Sequence, residues 1–182
     1  MHGILKYTSL GVKDNSWLVG TKTKKNSSPL LGDNGSDNGD TKDSPAASPA
    51  ESKGFEVIGT NLTDSFDGNK KVKYFKLDVL DADKFRKIMN EIRPDAIFHL
   101  AGFSSVKKSF EQPEFCRKVN VIGTKNLLDA VVKANINPKI LIISSAEVYG
   151  MSESVSIKET DWLNPISPYA KSRKEQEELC RK

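Results

Sequence analysis

Tyr169 and Arg173 stand four residues apart behind the dipeptide Ser167-Pro168, which offers a helix N-cap and a first-turn proline. Four residues is one step along a helix face, so a phenol and a guanidinium become neighbours. Lys174 is rotated by roughly 140° from the tyrosine. A free phenol titrates near about 10, and its use as a base at neutral pH requires a fall of roughly three units, or about 4 kcal/mol. A cation about 4 Å away supplies on the order of 4 kcal/mol at an effective dielectric of about 20. The electrostatic part of making this tyrosine a base at neutral pH could therefore come from Arg173. An amphipathic surface tyrosine is the plainer reading of the same residue.

Other polar and small residues fall at the ends of apolar runs. Asp78-Val79 follows the run ending at Leu77, where a carboxylate at a strand end can accept a hydrogen bond from a ligand amino group or can serve as a turn or cap residue. In the stretch HLAG, His99 to Gly102, the small residues Ala101 and Gly102 let another group approach the backbone closely, a buried strand terminus being the plainer reading. Ser145 and Glu147 lie in SSAEVYG, Ser144 to Gly150, and Asn120 is a polar residue inside a long helical pattern.

In chain order, Asp78-Val79, HLAG, SSAEVYG and SPYAKSR (Ser167 to Arg173) together resemble the extended short-chain dehydrogenase/reductase family, the NAD-dependent epimerases and dehydratases of nucleotide sugars. The resemblance runs over roughly Gly54 to Lys182. It implies an NAD(P) cofactor held by Asp78 at the adenine amino group, by Val79, Leu100, Ala101 and Gly102, by Asn120 beside it, and by Tyr169 and Arg173. It also implies that Ser145 holds the sugar oxygen while Tyr169 exchanges its proton. Arg173 stands where the family keeps a lysine that also binds the nicotinamide ribose, a role in which a planar guanidinium is not equivalent to an ammonium. Glu147 matches a dehydratase glutamate that removes a proton from the sugar. A solvated loop carboxylate is the alternative. HLAGFSSVKKSF followed by PEF is closest to the GDP-mannose dehydratase and GDP-4-keto-6-deoxymannose reductase branches, with Ser104 facing substrate or cofactor. Homodimers and a nucleotide-sugar substrate are implied as well.

The elements that must carry these residues are legible after Gly54. Phe55 to Thr60, Val72 to Leu77, Ala96 to Leu100 and Ile140 to Ser144 have strand length, and the last two read as parallel strands covered on both faces. Phe85, Ile88, Met89 and Ile92 fall at i, i+3, i+4 and i+7, one helix face. A long helix is expected over 113–134 and another from Ser167 onward. The fold class is therefore α/β, a partial Rossmann-like doubly wound parallel sheet over 54–182. Residues 1–24 form an unassigned amino-terminal segment. Residues 25–53, rich in Ser, Asp, Asn, Gly and Pro, read as a disordered linker.

No strand and glycine-rich turn precedes Gly54. The cluster Gly32, Gly35 and Gly39 follows no strand, carries Asp33, Asp37 and Asp40 that repel phosphate, and is followed by Pro45 and Pro49. The strand at Phe55 then matches the second strand of the order 3-2-1-4-5-6, and the strands at Phe55 and Ala96 flank a gap. A carboxyl-terminal substrate domain is expected in full-length relatives. Asn61 leaves NAD against NADP open.

A net charge of +4 spread among mixed Lys, Arg, Asp and Glu gives no basic stripe for nucleic acid, and no apolar run has membrane length. The two cysteines, Cys116 and Cys180, are too few for a disulfide framework and sit at no zinc-ligand spacing, so a reducing cytoplasm and no metal are expected.

Overall fold

The computed structural model of the protein describes residues 18–23, 55–63, 72–151 and 156–181, so the linker expected over 25–53 lies outside the described residues. One sheet has the order β3-β2-β1-β4-β5, made of β1 Leu18–Thr23, β2 Phe55–Asn61, β3 Lys73–Lys76, β4 Ala96–His99 and β5 Lys139–Ile142. The pairs β2/β3 and β4/β5 are parallel, as the α/β reading requires.

The expected gap between β2 and β4 and the expectation that no strand precedes the Gly32 cluster are points of correction, because β1 fills the gap and lies ahead of Gly32 in the chain. This strand runs antiparallel to both neighbours, with Leu18 opposite Thr60 on one side and His99 on the other. The physical cause is backbone satisfaction. Two strands one strand-width apart present facing rows of unpaired N–H and C=O groups, and an extended segment of six residues satisfies both rows at once. Direction is no obstacle, since antiparallel ladders are at least as stable as parallel ones.

Helix α1, Ala82–Ile92, buries the four positions that its period predicts, Phe85, Ile88, Met89 and Ile92. Asp81 caps it, its carboxylate accepting from the Lys84 amide at 2.9 Å. With Leu127, Ala130 and Val131 of a later helix and Ile58 and Ile97 of the sheet, this face makes the main core. On the other sheet face Leu141 and Ile143 are 50% and 41% exposed, so cover on both faces does not extend to β5 among the described residues.

The helix expected over 113–134 is present as three joined pieces: α3 Pro113–Arg117, a π turn Lys118–Ile122 and α4 Gly123–Lys133. A π turn inserts a residue into the helical ladder and re-aims the side chains around it, and here it turns Asn120 and Val121 inward. Two short elements, α2 Val106–Glu111 and a single 3₁₀ turn Ala146–Tyr149, lie where the sequence indicates none, and α5 spans Pro168–Cys180. Helix α5 packs on α2, α3, the π turn and the 3₁₀ turn. Among the described residues no helix is long and apolar enough to cross a membrane.

If β1 holds the sheet together, Thr21→Pro, opposite Val57 and Ala96, removes a ladder donor from the central strand. The orphaned partner should cost at least about 1–3 kcal/mol, read as a lower urea midpoint. An unchanged midpoint would mean that β1 does not pair as described.

Candidate active site

The inward face of α5 is polar. Tyr169, Ala170, Ser172, Arg173 and Gln176 are its buried residues. Its amino end is held by two hydroxyls: Ser167 accepts from the Ala170 amide at 3.0 Å, and Ser109 of α2 accepts from the Tyr169 amide at 3.1 Å. Two of the helix's unsatisfied first-turn donors are thus paired, and Tyr169 is fixed at its backbone.

Arg173 is 5% exposed and sets the direction of a buried hydrogen-bond chain. Its Nη1 donates to the Ile143 carbonyl at 3.2 Å and to Gln176 Oε1 at 2.9 Å. A guanidinium only donates, so Gln176 must present its oxygen to Arg173 and its Nε2 to Thr124 Oγ1, at 2.6 Å. Thr124 gives its own proton to the Asn120 carbonyl at 2.7 Å. His99 Nε2, 3.0 Å from the same hydroxyl, must therefore donate to it, which leaves Nδ1 deprotonated and without a partner. Burial first, and the nearby Arg173 charge second, hold His99 at about 4, so it is neutral at physiological pH.

Asn120 is fully buried and clips the loop after β4, accepting from the Phe103 amide at 2.7 Å and returning a bond to the Phe103 carbonyl at 3.2 Å. Its Nδ2 also reaches Ser172 Oγ at 2.8 Å. Gly102 lies in that loop. A Cβ there would stand 2.7 Å from Arg173 Nη2 and 2.9 Å from Asn120 Oδ1, so the missing side chain makes room for protein groups behind the loop. Gly123 is small for a similar reason, a Cβ there meeting Val79 Cγ2 at 2.8 Å.

Tyr169 is 8% exposed, and the Arg173 guanidinium carbon sits 5.3 Å from its ring centroid, the helix register that the four-residue spacing predicts. Lys174 is half-buried on the next face. Ser145 caps the 3₁₀ turn, its hydroxyl accepting from the Glu147 amide at 3.3 Å, and Glu147 is exposed. That turn is tied to α5 by the Arg173–Ile143 bond and by Ser144 Oγ donating to Glu177.

A cavity of about 140 Å³ opens at the carboxyl ends of β2, β3 and β4, lined among others by Thr60, Leu62, Asp78, Val79, Ala101 and Gly102. Asp78 is exposed and accepts from the Leu80 amide at 2.9 Å, a turn bond beyond which a carboxylate keeps acceptor capacity. Of the residues singled out in the sequence, Asp78, Val79, Ala101 and Gly102 share this cavity. Tyr169, Arg173 and Asn120 share the buried network behind it, with Ser145 and Glu147 on the adjoining turn. Leu100, 42% exposed, and the exposed Ser104 line neither. The sequence reading missed His99, Thr124, Ser172 and Gln176 as members of the network. The available signal was the i, i+3, i+4, i+7 repeat of Tyr169, Ser172, Arg173 and Gln176, which reads as a face.

Both cysteines are free, and burial raises the Cys116 thiol against opposing effects of Ser172 and Arg173. Among the described residues no cluster of His, Cys, Asp or Glu could hold a metal ion.

Comparison with known proteins gives a family match: the model described as GDP-mannose 4,6 dehydratase covers residues 51–182. The UDP-glucose 4-epimerase of Mycolicibacterium smegmatis is 37% identical over 106 residues, 58% of this chain and 34% of that protein. The human GDP-mannose 4,6 dehydratase is 36% identical over 121 residues, 65% of this chain and 32% of that protein. In three dimensions the chain resembles RMD from Pseudomonas aeruginosa complexed with NADPH, with a TM-score of 0.55 and 35% identity over 58% of this chain and 37% of that one. The chain spans about a third of the length of the curated relatives it matches.

Two outcomes follow from the network. Gly102→Ala forces a Cβ against Arg173 and Asn120 and should cost about 1–3 kcal/mol. The penalty should shrink by at least about 0.5 kcal/mol in an Arg173→Lys background if the guanidinium is what it meets. Equal penalties in both backgrounds would contradict this. His99 binds its proton near 6.5 when unfolded and near 4 when folded. The unfolded state therefore holds more protons between those values. Its contribution is complete above pH 6.5 and fades as the pH falls toward 4, by on the order of 3 kcal/mol in all. Urea titrations at pH 7 and 5 should show a smaller loss for His99→Gln than for the parent chain, and equal losses would remove His99 as the cause.

Proposed function

This chain belongs to the GDP-mannose 4,6-dehydratase family of NAD-dependent epimerases and dehydratases, and from that premise we propose that residues 54–182 form the cofactor-facing and proton-transferring part of a cytoplasmic nucleotide-sugar-modifying enzyme. One observation carries the reading: the Arg173–Ile143 hydrogen bond fastens the helix bearing Tyr169 to the strand end that leads into Ser145. On this reading the two halves of the proton-transfer site sit on adjoining pieces of chain. In this reading Tyr169 exchanges the proton of a sugar hydroxyl, Ser145 holds that oxygen, and Glu147 takes a proton from the sugar carbon frame. The exposed position of Glu147 suits a group that meets substrate from the open side, and its match to the dehydratase glutamate favours dehydration over simple epimerisation.

For the cofactor, the adenosine end of NAD(P) is supported by the cavity beside Asp78, Val79, Ala101 and Gly102. When bound, the nicotinamide would supply hydride transfer. The fit of the residues ends at adenosine, and the reading for this chain stays with the proton steps. A second reading, a non-catalytic member that keeps the fold as a binding unit, is favoured by the burial of Arg173, whose Nη1 is already committed to Ile143 and Gln176. Losing one well-placed bond from a charged group to the ribose corresponds to about 1.5–3 kcal/mol, or roughly ten- to a hundredfold in rate if it acts in the transition state.

Grafting residues 54–182 in place of the matching segment of the human GDP-mannose 4,6 dehydratase separates the two readings. The chimera should turn over nucleotide sugar measurably but slowly, Arg173→Lys should raise the rate by about ten- to a hundredfold, and Tyr169→Phe should abolish it. A folded chimera with no turnover in either the parent or the Arg173→Lys form favours the binding unit. Loss of activity in Lys174→Ala with none gained in Arg173→Lys would make Lys174 the working cation.

A further inference from the structure

Resting on the nucleotide site just proposed, we infer that this chain seats an adenine nucleoside or mononucleotide as tightly as a dinucleotide, because the seat ends at the adenosine.

The direction of β1 is the first ground. A dinucleotide lies across the carboxyl edge of an open parallel sheet, its pyrophosphate on the amino terminus of the helix that follows the central strand. The central strand here is reversed. Its amino end, Leu18, lies at the cavity edge beside Thr60 and His99, and its carboxyl end, Thr23, lies at the far edge beside Phe55. The end of β1 from which a phosphate-binding helix would open in the dinucleotide arrangement thus lies at the edge of the sheet away from the cavity.

Volume is the second ground. The cavity measures about 140 Å³. That is close to the roughly 150 Å³ that encloses a benzene and well under the roughly 300 Å³ at which sites for whole drug-sized ligands begin. It has the capacity for one flat ring system against Leu62, Val79 and Phe115, with Asp78 at its rim as acceptor for an exocyclic amino group.

The third ground is Arg173. The group that would reach a ribose beyond the pyrophosphate is turned into the protein, against the inner side of Gly102 and the Tyr169 ring. Gly102 thus has the cavity on one side and the guanidinium on the other. The ligand can touch the loop without reaching the cation.

Isothermal titration calorimetry on the whole chain tests this with AMP, NAD⁺ and nicotinamide mononucleotide. AMP and NAD⁺ should bind with Kd values within about threefold of each other, and nicotinamide mononucleotide should give no heat at millimolar concentration. Leu62→Trp, at a 49% exposed rim position, should weaken both adenine ligands together, with circular dichroism confirming the fold. NAD⁺ binding about tenfold or more tighter than AMP would overturn the inference while leaving the dinucleotide site standing. No heat from either adenine ligand would overturn both. Equal binding that Leu62→Trp and Asp78→Asn leave unchanged would place the ligand outside this cavity and also overturn it.

Discussion

A guanidinium buried where α5 meets the ends of β4 and β5 dictates the arrangement around it. Taking such a charge out of water costs several kcal/mol after relaxation. Arg173 offsets part of this through charged hydrogen bonds to Ile143 and Gln176, about 1.5–3 kcal/mol each, and through the Tyr169 ring face at roughly 0.5–2 kcal/mol, while its buried Nε has no hydrogen-bond partner among the described residues. Because the group can only donate, every polar neighbour takes a fixed orientation: Gln176 by its amide, Thr124 by its hydroxyl, His99 by its tautomer. A side chain at residue 102 is then disfavoured, since the guanidinium and the Asn120 carboxamide stand where its Cβ would go. One charge thereby determines side-chain identities on α5, on the π-turn helix and in the loop after β4.

That constraint explains why some parts of the fold are legible in the sequence and others are not. The face of α1 is apolar at helical period and packs on an apolar sheet, so Phe85, Ile88, Met89 and Ile92 are read directly. The inward face of α5 has the same period but is built of Tyr169, Ser172, Arg173 and Gln176, which hydropathy assigns to solvent. Its burial becomes visible only when partners far along the chain, Asn120, Thr124 and Ile143, are in place to satisfy it. The neighbouring of Tyr169 and Arg173 is legible all the same, because a four-residue step depends on helix geometry alone.

Strand β1 is illegible for a different reason. Leu18 to Thr23 has no periodicity that distinguishes it from other short polar-apolar stretches, and its role comes from what surrounds it. The requirement belongs to β2 and β4, whose facing backbone groups need a partner, and the segment that meets it is selected for length and extension more than for side chains. Selection by the backbone carries no preference for direction. A sheet whose other pairs are parallel can therefore accept an antiparallel centre, keeping the spatial order of the fold while moving the exit of the central strand to the opposite edge.

The two features act on the same ligand from opposite ends. In a dinucleotide site the central strand's exit holds the pyrophosphate, and the cation four residues after the tyrosine holds the ribose beyond it. On the proposed reading, reversal of β1 takes away the first contact and the turn of Arg173 into the core takes away the second, while the cavity between Asp78 and Gly102 rests on strands that neither change disturbs. Ser145 on its 3₁₀ turn and Tyr169 on α5, the pieces proposed for proton transfer, are tied together by the same bond from Arg173 to Ile143 that turns the guanidinium inward. If Arg173 were also to serve a bound cofactor, positioning of the tyrosine and binding of the cofactor's far half would compete for one side chain. An ammonium, compact and without a second planar NH₂ group to bury, would relieve that competition, which is the physical sense in which lysine and arginine differ at this position.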